Sequence, residues 1–291
     1  MDIKKSDGYF KSFDNTEIYY EVRGEGPPLV LVYGIACLMN HWHHQMEYFS
    51  KNFTVITFDI RGHHRSSNLA HFENLTIDAI AKDVSGLLAF LGVQKAHFAG
   101  HSFGGPVLLE IYKKNPELFQ SLCFVNAFAK NPIENMFGLD VVEPFYRYIK
   151  SQYEKNPDVW TTLWRLAVDN PLSMQLAALA GGFNINLTQL KDIEVYARGV
   201  AHMDLPVFFA FFDELMKFND EGVLESISSP TLIINGERDR VTPKSFQQHL
   251  HEAIKGSEMV VIPYGSHCCQ LDFPDYFNLK YEKFLDAHRP S

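Results

Sequence analysis

KAHFAGHSFGGPVLLEIYKK, residues 95–114, is the stretch on which the fold turns. KAHFAG (95–100) has the short apolar character of a buried strand. FGGPVLLEIYKK (103–114) has the length and spacing of a helix. Between them, Gly100-His101-Ser102-Phe103-Gly104 fits the pattern G-x-S-x-G. Five residues alone are a weak match. Between a strand and a helix they describe a strained strand-to-helix turn. Such a turn forces Ser102 into an unfavourable backbone region and uses the flanking glycines to avoid clashes. It exposes the Ser102 hydroxyl at the C-terminal edge of a sheet, by the positive end of a helix. The ordinary alternative is a glycine-rich turn with a capping serine, and the flanking elements argue against it.

The same alternation extends in both directions. Upstream, PLVLVYG (28–34) and FTVITFD (53–59) are continuous apolar runs, as expected of parallel strands buried on both faces. Asn40 to Lys51 reads as a helix between them. Earlier still, GYFKSFDNTEIYYEVRG (8–24) reads as a hairpin turning at Asp14-Asn15. Thr76 is a predicted N-cap for a helix whose stripe is Ile77, Ile80, Ala81, Val84, Leu87, Leu88 and Leu91, ended by Gly92. Downstream come strand SLCFVN (121–126), then TLIING, KSFQQHLHEAI, EMVVIP and DYFNLKYEKFLDAH. Strand–helix repetition of this kind implies a right-handed, doubly wound α/β sheet.

The middle differs. From Ala129 to Ile227 no strand run stands out. FYRYIKSQY places Phe145, Tyr148, Ile149 and Tyr153 on one helical face, and FFAFFDELMKF does so with Phe208, Phe211, Phe212, Leu215 and Met216. Asp169-Asn170-Pro171 and Gly181-Gly182 break the helices between. The expected organisation is an α/β core in two parts, 1–128 and 228–291, with a helical insertion at 129–227.

Composition narrows the function. The chain has 291 residues, long enough to bury a substantial core. Its 26 Lys+Arg against 35 Asp+Glu give a net charge of −9, with no basic block, a poor match to nucleic acid. No apolar run reaches the roughly 20 residues that cross a bilayer. The N-terminus MDIKKSDGYF lacks a signal-peptide core. Cys37, Cys123, Cys268 and Cys269 form no CxxC pair, which speaks against structural zinc and for a reducing compartment. These features predict a cytoplasmic protein without a membrane span.

A serine hydroxyl is a weak nucleophile. It needs a base, and the base needs an orienting carboxylate. TLIIN runs into Gly236-Glu237-Arg238-Asp239, and MVVIP into Tyr264-Gly265-Ser266-His267. Asp239 and His267 are therefore predicted beyond strand C-termini, on the edge that carries Ser102. Alone, Asp239 could be a turn aspartate and His267 a solvated loop histidine. Their order after Ser102 favours the catalytic reading. Glu237 stands close to its strand end, and Asp272 reads as a cap of the last helix.

With these residues in place, the chain resembles a capped protein of the α/β-hydrolase fold over nearly its whole length. Asp59-Ile60-Arg61-Gly62-His63-His64-Arg65-Ser66 resembles the family's D-x-R-G-x-G-x-S loop, with His64 where glycine is usual. The resemblance implies a mostly parallel eight-stranded sheet with helices on both faces and a helical cap. It implies Ser102 as nucleophile, Asp239 as acid and His267 as base. It also implies an oxyanion hole from the N–H groups of Ile35 and Phe103, where the usual His-Gly opening of the loop is here Tyr33-Gly34. No metal and no organic cofactor is expected.

His41-Trp42-His43-His44, with His63 and His64, raises a metal reading. His43 and His44 are adjacent and expected to point apart. His41 and His44 could share a face, but no third ligand is specified. Trp42 is expected beside the oxyanion loop, and Cys268-Cys269 behind His267. Most of the cap's aromatics should pack its own core. Trp160, Trp164, Phe208, Phe211 and Phe212 are the candidates for a cleft over Ser102.

The expected reaction is hydrolysis of carboxylic esters of small apolar substrates, with a small molecule as partner and the oligomeric state open. Fold alone does not fix substrate. A carbon–carbon bond hydrolase, an enol-lactonase, a cofactor-free haloperoxidase and a slow-turnover signal receptor remain alternatives. Serine rather than aspartate at the turn counts against dehalogenase and epoxide-hydrolase chemistry.

Overall fold

The structure, a computed structural model, describes residues 4–138, 141–168, 170 and 182–289. Eight strands form one sheet: β1 (Lys5–Lys11), β2 (Glu17–Arg23), β3 (Pro28–Val32), β4 (Thr54–Phe58), β5 (Ala96–His101), β6 (Phe119–Val125), β7 (Thr231–Gly236) and β8 (Glu258–Ile262). Their spatial order is β1-β2-β4-β3-β5-β6-β7-β8. β1 and β2 form the antiparallel hairpin, with Asn15 left-handed in its turn. β2 joins β4 antiparallel, and every later pairing is parallel. All residues of β5 and β7 are buried, which is why these strands read as unbroken apolar runs.

The helices of the first part are α1 (His43–Phe49), α2 (Ile77–Phe90) and α3 (Gly104–Lys114). Thr76 caps α2 by accepting the Ala79 N–H at 3.1 Å. Five described α-helices lie between β6 and β7: α4 (Val142–Lys155), α5 (Pro157–Val168), α6 (Leu190–Ala201), α7 (Leu205–Lys217) and α8 (Glu221–Leu224). After β7 come α9 (Lys244–Ala253), α10 (Cys269–Asp272) and α11 (Pro274–Ala287). In the core α2 packs on α3, and α1 on α11. No described helix is long and apolar enough to cross a membrane.

Two helical faces differ from the sequence reading. On α4, Tyr146 is the buried residue, joined by Ile149 and Tyr153, whereas Phe145 and Tyr148 are exposed. The seam runs through 146, 149 and 153, because the Tyr146 hydroxyl reaches Phe209 O (3.0 Å) and Asp213 Oδ1 (2.8 Å) on α7. On α7 the predicted single face is two. Val207, Phe211 and Leu215 join the main core, while Phe208, Phe209 and Phe212 pack toward α4 and Trp164. A helix apolar all round is buried on both sides. Asp169, Pro171 and Gly181, named as helix breakers, lie outside the described residues.

The loop after β4 is pinned from inside. Arg61 is fully buried and forks onto Asp83 at 2.7 and 2.6 Å, with its third nitrogen on Asp14 at 2.8 Å. This planar, bidentate pairing suits guanidinium. His64, at the usual glycine position, takes a left-handed φ of 43°.

Candidate active site

Ser102 occupies the turn between β5 and α3 with φ 52°, a left-handed conformation that costs a non-glycine residue on the order of 1–3 kcal/mol. The strain is held by the surroundings. The Ser102 N–H donates to Val125 O at the end of β6 (2.9 Å), and its carbonyl accepts the Gly105 N–H (2.9 Å). A side chain at Gly104 would put Cβ 2.4 Å from Val32 O, so the helix can approach β3 only with glycine there.

Asp239 and His267 meet as the sequence order predicts. His267 Nδ1 donates to Asp239 Oδ2 at 2.9 Å, with both residues buried. The carboxylate is oriented by its own loop. Oδ1 accepts the N–H groups of Val241 (2.8 Å) and Thr242 (2.9 Å), and Thr242 Oγ1 lies 2.7 Å from Oδ2. With Nδ1 committed, Nε2 is the nitrogen left for chemistry. Among the described residues Ser102 Oγ has no hydrogen-bond partner, so the serine–histidine contact is one the free chain has not made. Such contacts often tighten only when substrate binds.

His101, the residue before Ser102, holds the His267 loop. Its Nε2 donates to the His267 carbonyl (2.8 Å), and its ring lies 4.8 Å from the His267 ring. Burial, with the nearby His41 and His267, pushes His101 well below the ordinary histidine range, so it stays neutral. The segment at Gly182 also approaches. At Gly182, φ is 79° and a Cβ would fall 2.6 Å from the Cβ of His267.

Ile35 and Phe103 flank the same turn. Among the described residues neither N–H has a protein acceptor, and Phe103 is fully buried. Ile35 is only partly buried; a buried N–H is nearly always paired, so the unpaired N–H of Phe103 is the unusual one. Next to them Ala36 is left-handed (φ 61°), and its N–H donates to His63 Nε2 at 3.2 Å. Tyr33, where the family has histidine, accepts the Ile60 N–H on its hydroxyl at 2.7 Å. It thereby ties this loop to the loop after β4.

The aromatic candidates separate. Trp160, Trp164, Phe208 and Phe212 line an apolar cavity of about 370 Å³ with Tyr146 and Phe209. Ser102, Asp239 and His267 are not among its walls. Phe211 is fully buried, its ring 5.5 Å from Phe103 and 5.6 Å from His63. It is a core residue under the oxyanion turn rather than a cleft wall.

Two other readings change. Asp272 does not cap α11, whose N-cap has no side-chain bond. Its carboxylate accepts the Ser266 N–H at 2.5 Å and the Thr188 hydroxyl, joining the His267 loop to the segment before α6. His43 and His44 do not point apart: their ring centroids are 3.8 Å apart, drawn together by Asp192 on α6. His41 is buried against His101 at 4.6 Å. All four cysteines are buried and free, and burial pushes the Cys268 and Cys269 thiols well above their ordinary range.

Asn126 and Thr242 went unnoticed in the sequence. Asn126 donates to Ser266 O (3.1 Å) and His267 O (2.5 Å), and its Oδ1 accepts the Gly236 N–H (2.9 Å). A polar residue just past the end of a buried strand, on the edge that carries sites, was the available signal. Thr242 had only its spacing of three from Asp239.

A family profile described as alpha/beta hydrolase fold matches residues 27–274. A protein of Agrobacterium fabrum provisionally named carbamate hydrolase RutD is 27% identical over 273 residues, covering 92% of this chain and 98% of its own. A protein of the same provisional name from Pseudomonas savastanoi pv. phaseolicola is 29% identical, covering 93% and 98%. The crystal structure of a bromoperoxidase from Bacillus anthracis superposes with a TM-score of 0.76 at 22% identity, covering 97% of this chain and all of the other. At that identity the likeness is one of fold alone.

Proposed function

The chain belongs to the α/β-hydrolase fold family, and from that premise we propose that it is a serine hydrolase that cleaves carboxylic esters of small apolar substrates. The observation that carries this reading is the 2.9 Å His267–Asp239 hydrogen bond beside a serine held at φ 52°. The two free N–H groups of Ile35 and Phe103 support it. Residues 129–227 are read as the cap over this site.

In this reading His267 Nε2 takes the proton of Ser102 as Oγ attacks the ester carbonyl. The Ile35 and Phe103 N–H groups receive the negative oxygen. The imidazolium, oriented by Asp239 through Nδ1–H, then protonates the leaving alcohol. Water, activated by the neutral histidine, releases the acid and regenerates Ser102.

A second reading follows from the curated relatives, whose name specifies a carbamate. A carbamate carbonyl is open to the same attack, and only the group flanking it differs. The deciding experiment is a panel of p-nitrophenyl esters of increasing acyl length, run beside p-nitrophenyl carbamates, lactones and vinylogous diketones. Ester turnover that falls on the order of 10⁶-fold in Ser102→Ala, with a fluorophosphonate adduct on Ser102, is the expected outcome. Preferential carbamate turnover by the same serine selects the second reading. An adduct elsewhere, or an active Ser102→Ala, overturns both.

A further inference from the structure

One cluster of ligand-type side chains lies away from the triad, on the seam between α1 and α6. His43 Nε2 is 3.3 Å from Asp192 Oδ1, and His44 Nε2 is 3.2 Å from Asp192 Oδ2. The ligand atoms of the three residues all fall within 4.8 Å of one another. The Asp192 side chain is only 4% exposed. Among the described residues these two imidazoles are its only side-chain partners.

Neutral imidazoles satisfy only one oxygen of this carboxylate: His44 Nε2–H can donate to Oδ2 at 3.2 Å. His43 Nδ1 donates to Asn40 O at 2.8 Å, so in the neutral ring Nε2 carries a lone pair. That lone pair faces a carboxylate oxygen, acceptor against acceptor. The two rings stand 3.8 Å apart, so both imidazoles face the same carboxylate.

A divalent cation removes the conflict. Zinc bonds of about 2.0–2.1 Å put neighbouring ligand atoms roughly 3.3–3.4 Å apart; here His43 Nε2 stands 3.3 Å from one Asp192 oxygen and His44 Nε2 3.2 Å from the other, so the carboxylate would meet the ion through both oxygens. The Asn40 carbonyl on Nδ1 is the outer bond that orients metal-binding histidines. A cavity of about 160 Å³, with Asn40, His43 and Asp192 in its wall, leaves room for a water ligand. We propose that His43, His44 and Asp192 form a binding site for a borderline divalent cation, zinc foremost, that clips cap helix α6 to α1. The sequence offered two histidines and no third ligand. Asp192, 148 positions on, supplies it.

The clip would bear on the oxyanion loop. A side chain at Gly199 of α6 would come within 3.1 Å of Leu38 and 3.4 Å of Ala36 O, so this helix lies directly against the segment that follows Ile35. The other ligand-type triple, Cys37, His41 and His101, is fully buried, and burial pushes its thiol up to about 12, which disfavours the thiolate a metal needs.

The test titrates zinc into the metal-free full chain by calorimetry at neutral pH, with hydrogen exchange followed over residues 190–201. One tight equivalent is expected, with added exchange protection in α6. Asp192→Asn and His44→Ala should each weaken it at least tenfold and abolish that protection, while Cys37→Ser leaves both unchanged. Should Asp192→Asn fail to fold, the partly exposed His43→Gln gives the same reading. Zinc affinity unaffected by these changes, or lost in Cys37→Ser instead, overturns the proposal.

Discussion

The Asn126 side chain donates to the backbone carbonyl of His267 at 2.5 Å. The same amide holds Ser266 O and the Gly236 N–H. One side chain at the end of β6 thus fastens the loop that carries Asp239 to the loop that carries His267. Asn126 itself sits at φ 47°, a conformation asparagine tolerates better than most residues.

Asn126→Leu should therefore lower stability and turnover together. It strands the Gly236 N–H and the Ser266 carbonyl, each worth about 1–3 kcal/mol when left unpaired, while the His267 carbonyl keeps His101. A loss of at least about 2 kcal/mol in urea denaturation is expected, with kcat falling more than KM rises because His267 loses its support. Wild-type stability and kcat in this variant would contradict the bridging role.

Asp239→Asn should be far more damaging than Glu237→Gln. Asp239 fixes the tautomer of His267, and the loss of such a carboxylate costs about 10⁴ in kcat in a comparable triad. Among the described residues Glu237 accepts only the Tyr264 N–H, at 2.9 Å on an exposed edge, so its replacement should cost less than about tenfold by the same measure. Steady-state kinetics on one ester separates the two, and equal, mild effects would mean that the acid lies elsewhere.

Arg61→Met should produce a stability deficit that shrinks in acid. At Asp14 burial opposes ionisation, but hydrogen bonds from Arg61, Asn74 and Thr16 outweigh it and lower the pKa. That contribution is complete above the unfolded value near 4 and is lost as pH falls below it. At Asp83 burial prevails and the pKa is raised, so this group contributes in the opposite sense, favouring the fold as pH falls. Removing Arg61 strands both carboxylates and raises both. The expected deficit is about 3–5 kcal/mol at pH 7 and smaller at pH 5. Urea titrations giving equal deficits at the two pH values would refute this account.

Phe211→Ala and Trp160→Ala should act differently. Phe211 is fully buried, and its truncation should cost about 3–5 kcal/mol of stability. Trp160 is half-buried in the wall of the apolar cavity. Its truncation should leave the fold intact and, because Ser102, Asp239 and His267 lie outside that cavity's walls, leave the chain-length preference unchanged. Thermal melts and the ester panel measure the two effects. A shift of the preferred acyl chain to greater length in Trp160→Ala would instead put this cavity on the substrate path, at about 0.8 kcal/mol per additional buried methylene.

Much of this molecule is local in the sequence. The parallel sheet was legible because strands buried on both faces are continuous apolar runs, and the elbow because a strained turn demands glycine at set offsets from Ser102. Thr76 announced α2 because a cap bonds only its own first turn. Asp239 and His267 were legible as positions, each a few residues past a strand end. Their meeting at 2.9 Å required the sheet to bring β7 and β8 side by side.

What the sequence could not carry depends on partners far along the chain. Periodicity located α4 and α7, but only their packing decided that Tyr146 rather than Phe145 turns inward, and that α7 is buried on two sides. Adjacent side chains on an isolated helix diverge, so His43 and His44 were expected to part. Asp192, on a helix 148 residues away, brings them together, and Asn126 joins two loops more than 100 residues beyond it. A backbone pattern repeats with the period of its own element and can be read from neighbours. A side-chain hydrogen bond across the fold has no period, so it exists only once the chain has packed.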